Sequence, residues 1–229
     1  YNHDCYDYLK KNGIPENLNK HISHLFLRDP IIMYEKDIEK DINSLENEKD
    51  FFVNINSSNW NNVRLKPPLS DKESWKVEIR MLDIQTNNFK NASFIIYILL
   101  LARTIIHYNL NFYIPMSYIE DNYNNIELNT FDNRFYTNHF WNKNRSNFSP
   151  KLIDMGKIIN KINNFIRNYI SEIKENIDVE RYLVYIENIS NQKEKTDAGK
   201  MHDFIINHEE YKNDSKINNN ISNELIQSI

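Results

Sequence analysis

Trp75, Lys76, Val77, Glu78, Ile79 and Arg80 alternate apolar with charged side chains, the period-2 pattern of a half-buried β-strand. Side chains two residues apart leave the same face of a strand, roughly 6.5–7 Å from one another. Glu78 and Arg80 therefore place a carboxylate and a guanidinium side by side. An enzyme that moves a phosphoryl group from a metal-bound nucleotide uses that pair. The carboxylate is a hard ligand for Mg2+, and the planar guanidinium meets phosphate oxygens two at a time. A surface strand whose charged face meets water would show the same alternation. Upstream, Arg64 and Lys66 sit two apart beyond Trp60. Two cations on one face of an extended segment can hold an anionic substrate or nucleotide phosphates. A solvated edge strand anchored by Trp60 explains these residues equally well.

The remaining reactive side chains point to less. His21 and His24 are three apart on an expected helix, but no Cys, His or carboxylate set with zinc spacing accompanies them, so packing or capping histidines are expected. Cys5 lies in a polar leader beside His3, a poor setting for a thiol nucleophile. No Gly-rich phosphate loop and no Gly-x-Ser-x-Gly elbow is present, so a nucleotide would be bound without a P-loop.

The elements that must carry these residues are mostly helical. Tyr6 to Asn12 reads as a helix stopped at Gly13 and Pro15, the punctuation of a helix end. Leu18 to Leu27 is a second helix, and 35–50 is a charged stretch without an apolar face. Phe51 to Ile55 reads as a short strand, and Pro67-Pro68 ends the extended piece Val63–Lys66. The alternation slips at Met81-Leu82, where a bulge or strand end is expected. Asn91 is the candidate cap of an apolar helix that runs through Phe94–Ile106. That run falls short of the ~20 residues a span needs, and Arg103 interrupts it, so a helix buried in a globular protein is expected. Helix plus loop is expected over 121–149, and helices over Leu152–Glu175, Val179–Ile186 and Met201–His208. From Asn213 onward an Asn/Ser-rich tail is expected to be loose.

With 229 residues, 40% of them hydrophobic, the chain can bury a core. A net charge of −4 leaves no basic footprint, so no nucleic-acid partner is expected. One cysteine, Cys5, fits a reducing compartment. The polar residues Tyr1–Cys5 lack the pattern of a signal peptide. A cytoplasmic protein without a membrane partner is the expectation, and a start other than Met suggests a segment of a longer chain.

Several stretches resemble the catalytic subunit of eukaryotic-type glutamate–cysteine ligases, across nearly the whole chain and in the family's order. They are His21–Pro30, Ser58–Trp60 with Arg64–Pro68, Trp75–Arg80, Asp83–Gln85, Asn88–Ala92, Tyr113–Ser117, Phe204–His208 and Tyr211–Ser215. The resemblance places the chain in the C-terminal half of that enzyme and implies an α+β fold, mostly helical, with a few antiparallel strands of a glutamine-synthetase-like funnel sheet. Residues 1–212 would be part of the catalytic domain. The implied reaction joins the γ-carboxylate of glutamate to the amine of cysteine through γ-glutamyl phosphate, with ATP and Mg2+, as the first step of glutathione biosynthesis.

By the same resemblance Glu78 ligates Mg2+ and Arg80 binds phosphate oxygens as the catalytic pair. Trp60 and Arg64 contact substrate, and Lys66 and Arg28 contact nucleotide. A modifier subunit is a possible partner, and the N-terminal half of the enzyme is a required one, since it carries the other metal carboxylates. The chain alone should be inactive. Met81 stands where the family has proline, and Phe131–Arg134 replaces a charged stretch, so no role is carried to that segment. The alternative is a diverged, non-catalytic helical module for interaction or regulation.

Overall fold

The computed structural model describes residues 1–27, 35, 52–57, 62–68, 70, 72–128, 134–138, 141, 150–174 and 178–228. Two compact units divide the chain, Tyr1–Asp83 and Ile84–Ile229.

The first unit opens on a helical hairpin. Helix α1, His3–Lys11, begins where Asn2 accepts a hydrogen bond from the Cys5 N–H at 3.0 Å, the usual satisfaction of a free helix N-terminus. It ends at Asn12, and Gly13 turns the chain with φ +76°. No atom lies within 4 Å of a Cβ built at Gly13, so Gly13→Ala meets no clash and carries only the left-handed backbone strain. The expected loss is about 1 kcal/mol, read as a lower thermal midpoint than that of the unaltered protein. Helix α2, Glu16–Leu25, packs back on α1: Asn19 donates to the Tyr6 carbonyl at 3.0 Å, and Asn2 N–H to the Ser23 carbonyl at 2.9 Å.

Residues 52–57 are helical, not the strand their Phe-Phe-Val sequence suggests. Local side-chain bonding decides it. Ser57 Oγ donates back to the Asn54 carbonyl at 2.8 Å, and Asn56 Nδ2 donates across to the Leu65 carbonyl at 2.6 Å. That second bond ties the segment to strand β1, Val63–Lys66, which pairs antiparallel with β2, Lys76–Ile79. The expected slip at Met81-Leu82 is a strand end, because the ladder closes with Arg80 N–H on the Asn62 carbonyl at 2.8 Å.

In the second unit α3, Asn88–Tyr108, is capped by Asn87, whose side chain accepts from Lys90 N–H. Asn91, the expected cap, instead brackets Gln85, accepting from its N–H at 3.0 Å and donating to its carbonyl at 3.1 Å. Helix α4, Met116–Leu128, leads to a hairpin of β3, Arg134–Asn138, and β4, Pro150–Asp154. The sequence reading missed this hairpin, since neither strand alternates cleanly. One local tie fixes β3: the Asn122 side chain donates to the Tyr136 carbonyl and accepts from its N–H, at 2.9 and 2.6 Å. Helices α5, Met155–Ile173, and α6, Glu180–Ser190, follow. With α3 they enclose a core of Tyr97, Ile162, Ile166, Leu183 and Ile186.

Two helices close the chain: α7, Asp197–Ile206, and α8, Asn219–Ser228. The latter occupies the tail expected to be loose, and its Ile221 is 1% exposed. Ile221 and the half-buried Leu225, four residues apart, share one face of that helix.

Asp197, at the start of α7, is buried and accepts from Thr86 N–H at 2.8 Å, from Thr86 Oγ1 at 2.7 Å and from Lys90 Nζ. Burial pushes its pKa up, but the Lys90 and Thr86 bonds outweigh it and bring the carboxyl down to about 2. A carboxyl whose pKa folding depresses stabilises above its unfolded value and stops doing so as pH falls toward its folded one. Asp197→Asn should therefore cost about 2 kcal/mol at neutral pH, the worth of hydrogen bonds to a charged acceptor. The difference from the unaltered protein should shrink as pH falls from about 4 to about 2. Equal chemical-denaturation midpoints at pH 7 would contradict this.

Candidate active site

Residues paired across an antiparallel ladder send their side chains to the same face. Arg64 faces Glu78 and Lys66 faces Lys76, while Val63 faces Ile79 and Leu65 faces Val77. The β1–β2 hairpin thus has one charged face and one apolar face. Arg80, just past the strand, continues the charged face.

Glu78 stands at the centre of that face. Its Oε2 accepts a hydrogen bond from Arg80 Nε at 2.8 Å. Arg64 Nε lies at the same 2.8 Å, but its N–H is not aligned on the carboxylate, so that contact is ionic. Lys66 Nζ is 3.7 Å from Oε1. The Arg80 hydrogen bond holds the Glu78 carboxyl below the usual carboxylate range; partial desolvation opposes this, and the charges of Arg64, Arg80 and Lys66 add to it. Arg64 also donates to the Ser57 carbonyl at 3.4 Å. Lys76, on the same face, is held by Glu73 at 2.6 Å; alternation signalled its place, but sequence reasoning gave it no role.

Four of the expected site residues, Arg64, Lys66, Glu78 and Arg80, are thereby brought together on one ribbon. Trp60 and Arg28 lie outside the described residues. The strand differs from expectation in which face is covered. Trp75 is 53% and Val77 63% exposed, whereas the Arg64 side chain is 11% exposed. Among the described residues of this unit the apolar side meets an edge contact from Phe52 to Trp75 at 6.4 Å, and two strands cannot bury a face between themselves.

Chemically, three cations converge on one carboxylate, leaving a net positive surface suited to phosphate or carboxylate oxygens. The surface also suits one hard oxygen ligand for Mg2+. Among the described residues no cluster of three or more His, Cys, Asp and Glu side chains could hold a metal. His21 and His24 have no such company. Burial lowers the His21 pKa first, and the charge of His24 adds to it. Burial pushes the Cys5 thiol up, the opposite of what activates a nucleophile.

This charged ribbon lies in a chain that is similar to ligases. The glutamate–cysteine ligase family matches residues 1–229, and the chain belongs to that family. It is 33% identical to glutamate–cysteine ligase of Schizosaccharomyces pombe, aligned over 100% of this chain and 37% of the relative. It is 31% identical to the Dictyostelium discoideum enzyme, over 99% of this chain and 39% of the relative. With the glutamate–cysteine ligase catalytic subunit of Homo sapiens it shares 29% identity, over 97% of this chain and 39% of the relative. The chain thus spans little more than a third of these relatives, less than the half that the sequence suggested.

Proposed function

We propose that this chain is part of an enzyme that ligates L-glutamate to L-cysteine with ATP and Mg2+, the first step of glutathione biosynthesis. The observation that carries the reading is the convergence of Arg64, Lys66 and Arg80 on Glu78, in a chain whose relatives are named for this reaction. An oxygen of the glutamate γ-carboxylate attacks the γ-phosphorus of ATP, and ADP leaves with the electron pair of the broken P–O bond. The cysteine amine then attacks the acyl carbon of γ-glutamyl phosphate. The C–O bond to phosphate breaks, inorganic phosphate leaves, and the nitrogen sheds a proton.

The side chains present fit the anionic half of this chemistry. Arg80 and Arg64 offer guanidinium donors to phosphate oxygens, Lys66 a point charge, and Glu78 one metal ligand. When bound, Mg2+ neutralises charge on the phosphate oxygens being transferred. One carboxylate does not hold it, so its other ligands come from the rest of the parent polypeptide, as does the remainder of the funnel sheet that would cover Val77 and Trp75. Trp60 would line the amino-acid pocket, Arg28 would contact nucleotide, the enzyme would be cytoplasmic, and a modifier subunit could join it.

The test uses the full-length parent. With glutamate, cysteine, ATP and Mg2+ it should form γ-glutamylcysteine, ADP and phosphate in equal amounts, detected by mass and by coupled ADP assay. Omission of cysteine should stop dipeptide formation. A folded parent that makes no dipeptide would leave the non-catalytic module as the reading.

A further inference from the structure

Helix α3 packs Tyr97 and the half-buried Phe94, Ile96, Leu100, Leu101 and Ile105 on the core, yet it also carries apolar side chains on its far side. Its buried residues are Ser93, Tyr97 and Thr104. Its exposed ones include Ile95 at 53%, Leu99 at 58% and Ile106 at 80%, with Ala102 between them. At 100° per residue Ile95, Leu99, Ala102 and Ile106 fall in one narrow stripe opposite Ser93, Tyr97 and Thr104. The stripe runs about 17 Å at 1.5 Å per residue. A helix with apolar side chains on both its core-facing and its far side is one covered on both sides, yet Ile95, Leu99 and Ile106 are exposed.

Resting on the ligase reading, we infer that this stripe is the docking surface for the part of the parent polypeptide that lies outside these 229 residues. That occupant is available in quantity, since the relatives run to more than twice this length. It must be a protein surface. By length and composition α3 could cross a membrane, but its packing partners forbid lipid. Helices α5 and α6 pack against it and carry Lys157, Lys161, Arg167, Glu172, Glu180 and Arg181, groups that a bilayer interior excludes. Arg103 is exposed beside the stripe itself. An open stripe of this kind on a finished water-soluble protein would invite association.

The test is a photo-crosslinker, benzoylphenylalanine, placed at Leu99 of the full-length enzyme and, separately, at Ile106. Irradiation should join either position to peptides of the same polypeptide from outside residues 1–229. Adducts to peptides within 1–229, to a second copy, to a modifier subunit or to the lipid of added phosphatidylserine vesicles would each overturn the inference, as would no adduct at all. Hydroxyl-radical footprinting of the unaltered enzyme guards against a substitution that misfolds. Ile95, Leu99 and Ile106 should lose their oxidation in the native protein and regain it on denaturation; oxidation as fast in the native as in the denatured enzyme would also overturn it. Both measurements read contact rather than turnover. An active enzyme with an uncovered stripe refutes the docking surface alone, and an inactive one with a covered stripe refutes the ligase reading alone.

Discussion

Replacement of Glu78 by Gln in the full-length ligase should lower turnover at least about 10²-fold, the scale set by removing one preorganised charge partner from an active site. Glutamine keeps the shape and one carbonyl acceptor, so the β1–β2 ladder should survive. What disappears is the charge that Arg80, Arg64 and Lys66 now share. The loss should fall on kcat more than on the apparent affinity for ATP, because on the proposed function the freed cations would still attract phosphate while one Mg2+ ligand would be missing. Steady-state kinetics at varied ATP and varied Mg2+ separate the two. Wild-type turnover in a folded Glu78→Gln enzyme would remove Glu78 from the site.

The second large effect is expected for Arg80→Lys, again at least about 10²-fold in turnover. The charge is kept and the fork of donors is lost. Arg80 Nε already spends one donor on Glu78 at 2.8 Å, and a guanidinium can hold that bond and still present N–H groups to a phosphate. An ammonium on a flexible stem holds one geometry or the other. Circular dichroism should show no change, and Arg80→Ala should be no worse than a further few-fold below Arg80→Lys. A lysine variant with ordinary kinetics would reduce Arg80 to a structural partner of Glu78.

Much of this site was legible because its determinants are local. Alternation through Trp75–Arg80 and the stop at Pro67-Pro68 define both strands, and a hairpin then fixes which residues share a face. The Gly13 stop and the apolar run of α3 were legible for the same reason. Contacts between residues far apart in sequence were not. Asp197 meets Thr86 across 111 positions, and no periodicity reports that. Nor did propensity foresee the helical turn at 52–57, where Asn56 bonds the Leu65 carbonyl, or α8, which is held by the burial of Ile221, by Asn218 accepting from Ile221 N–H and by the contact of Glu224 with His208. The largest error concerned Val77 and Trp75. Alternation says that a strand has an apolar side, and only the neighbouring chain decides whether that side is covered. The same limit applies to α3, where an apolar sequence was a sound guide to the helix and none to what packs on it.

The placing of Arg64 directly across from Glu78 has a consequence for the order of assembly. Two β-strands joined by a short connection can pair within microseconds, long before distant parts of a chain find one another. Arg64 and Glu78 can therefore meet early, on a ribbon whose register follows from its own ladder and whose lasting stability comes from what later packs on it. The oppositely charged neighbour keeps three like charges from driving that ribbon apart during the wait. On the proposed function, metal ligands supplied by distant parts of the parent would arrive later, so a hold on anions should precede catalysis.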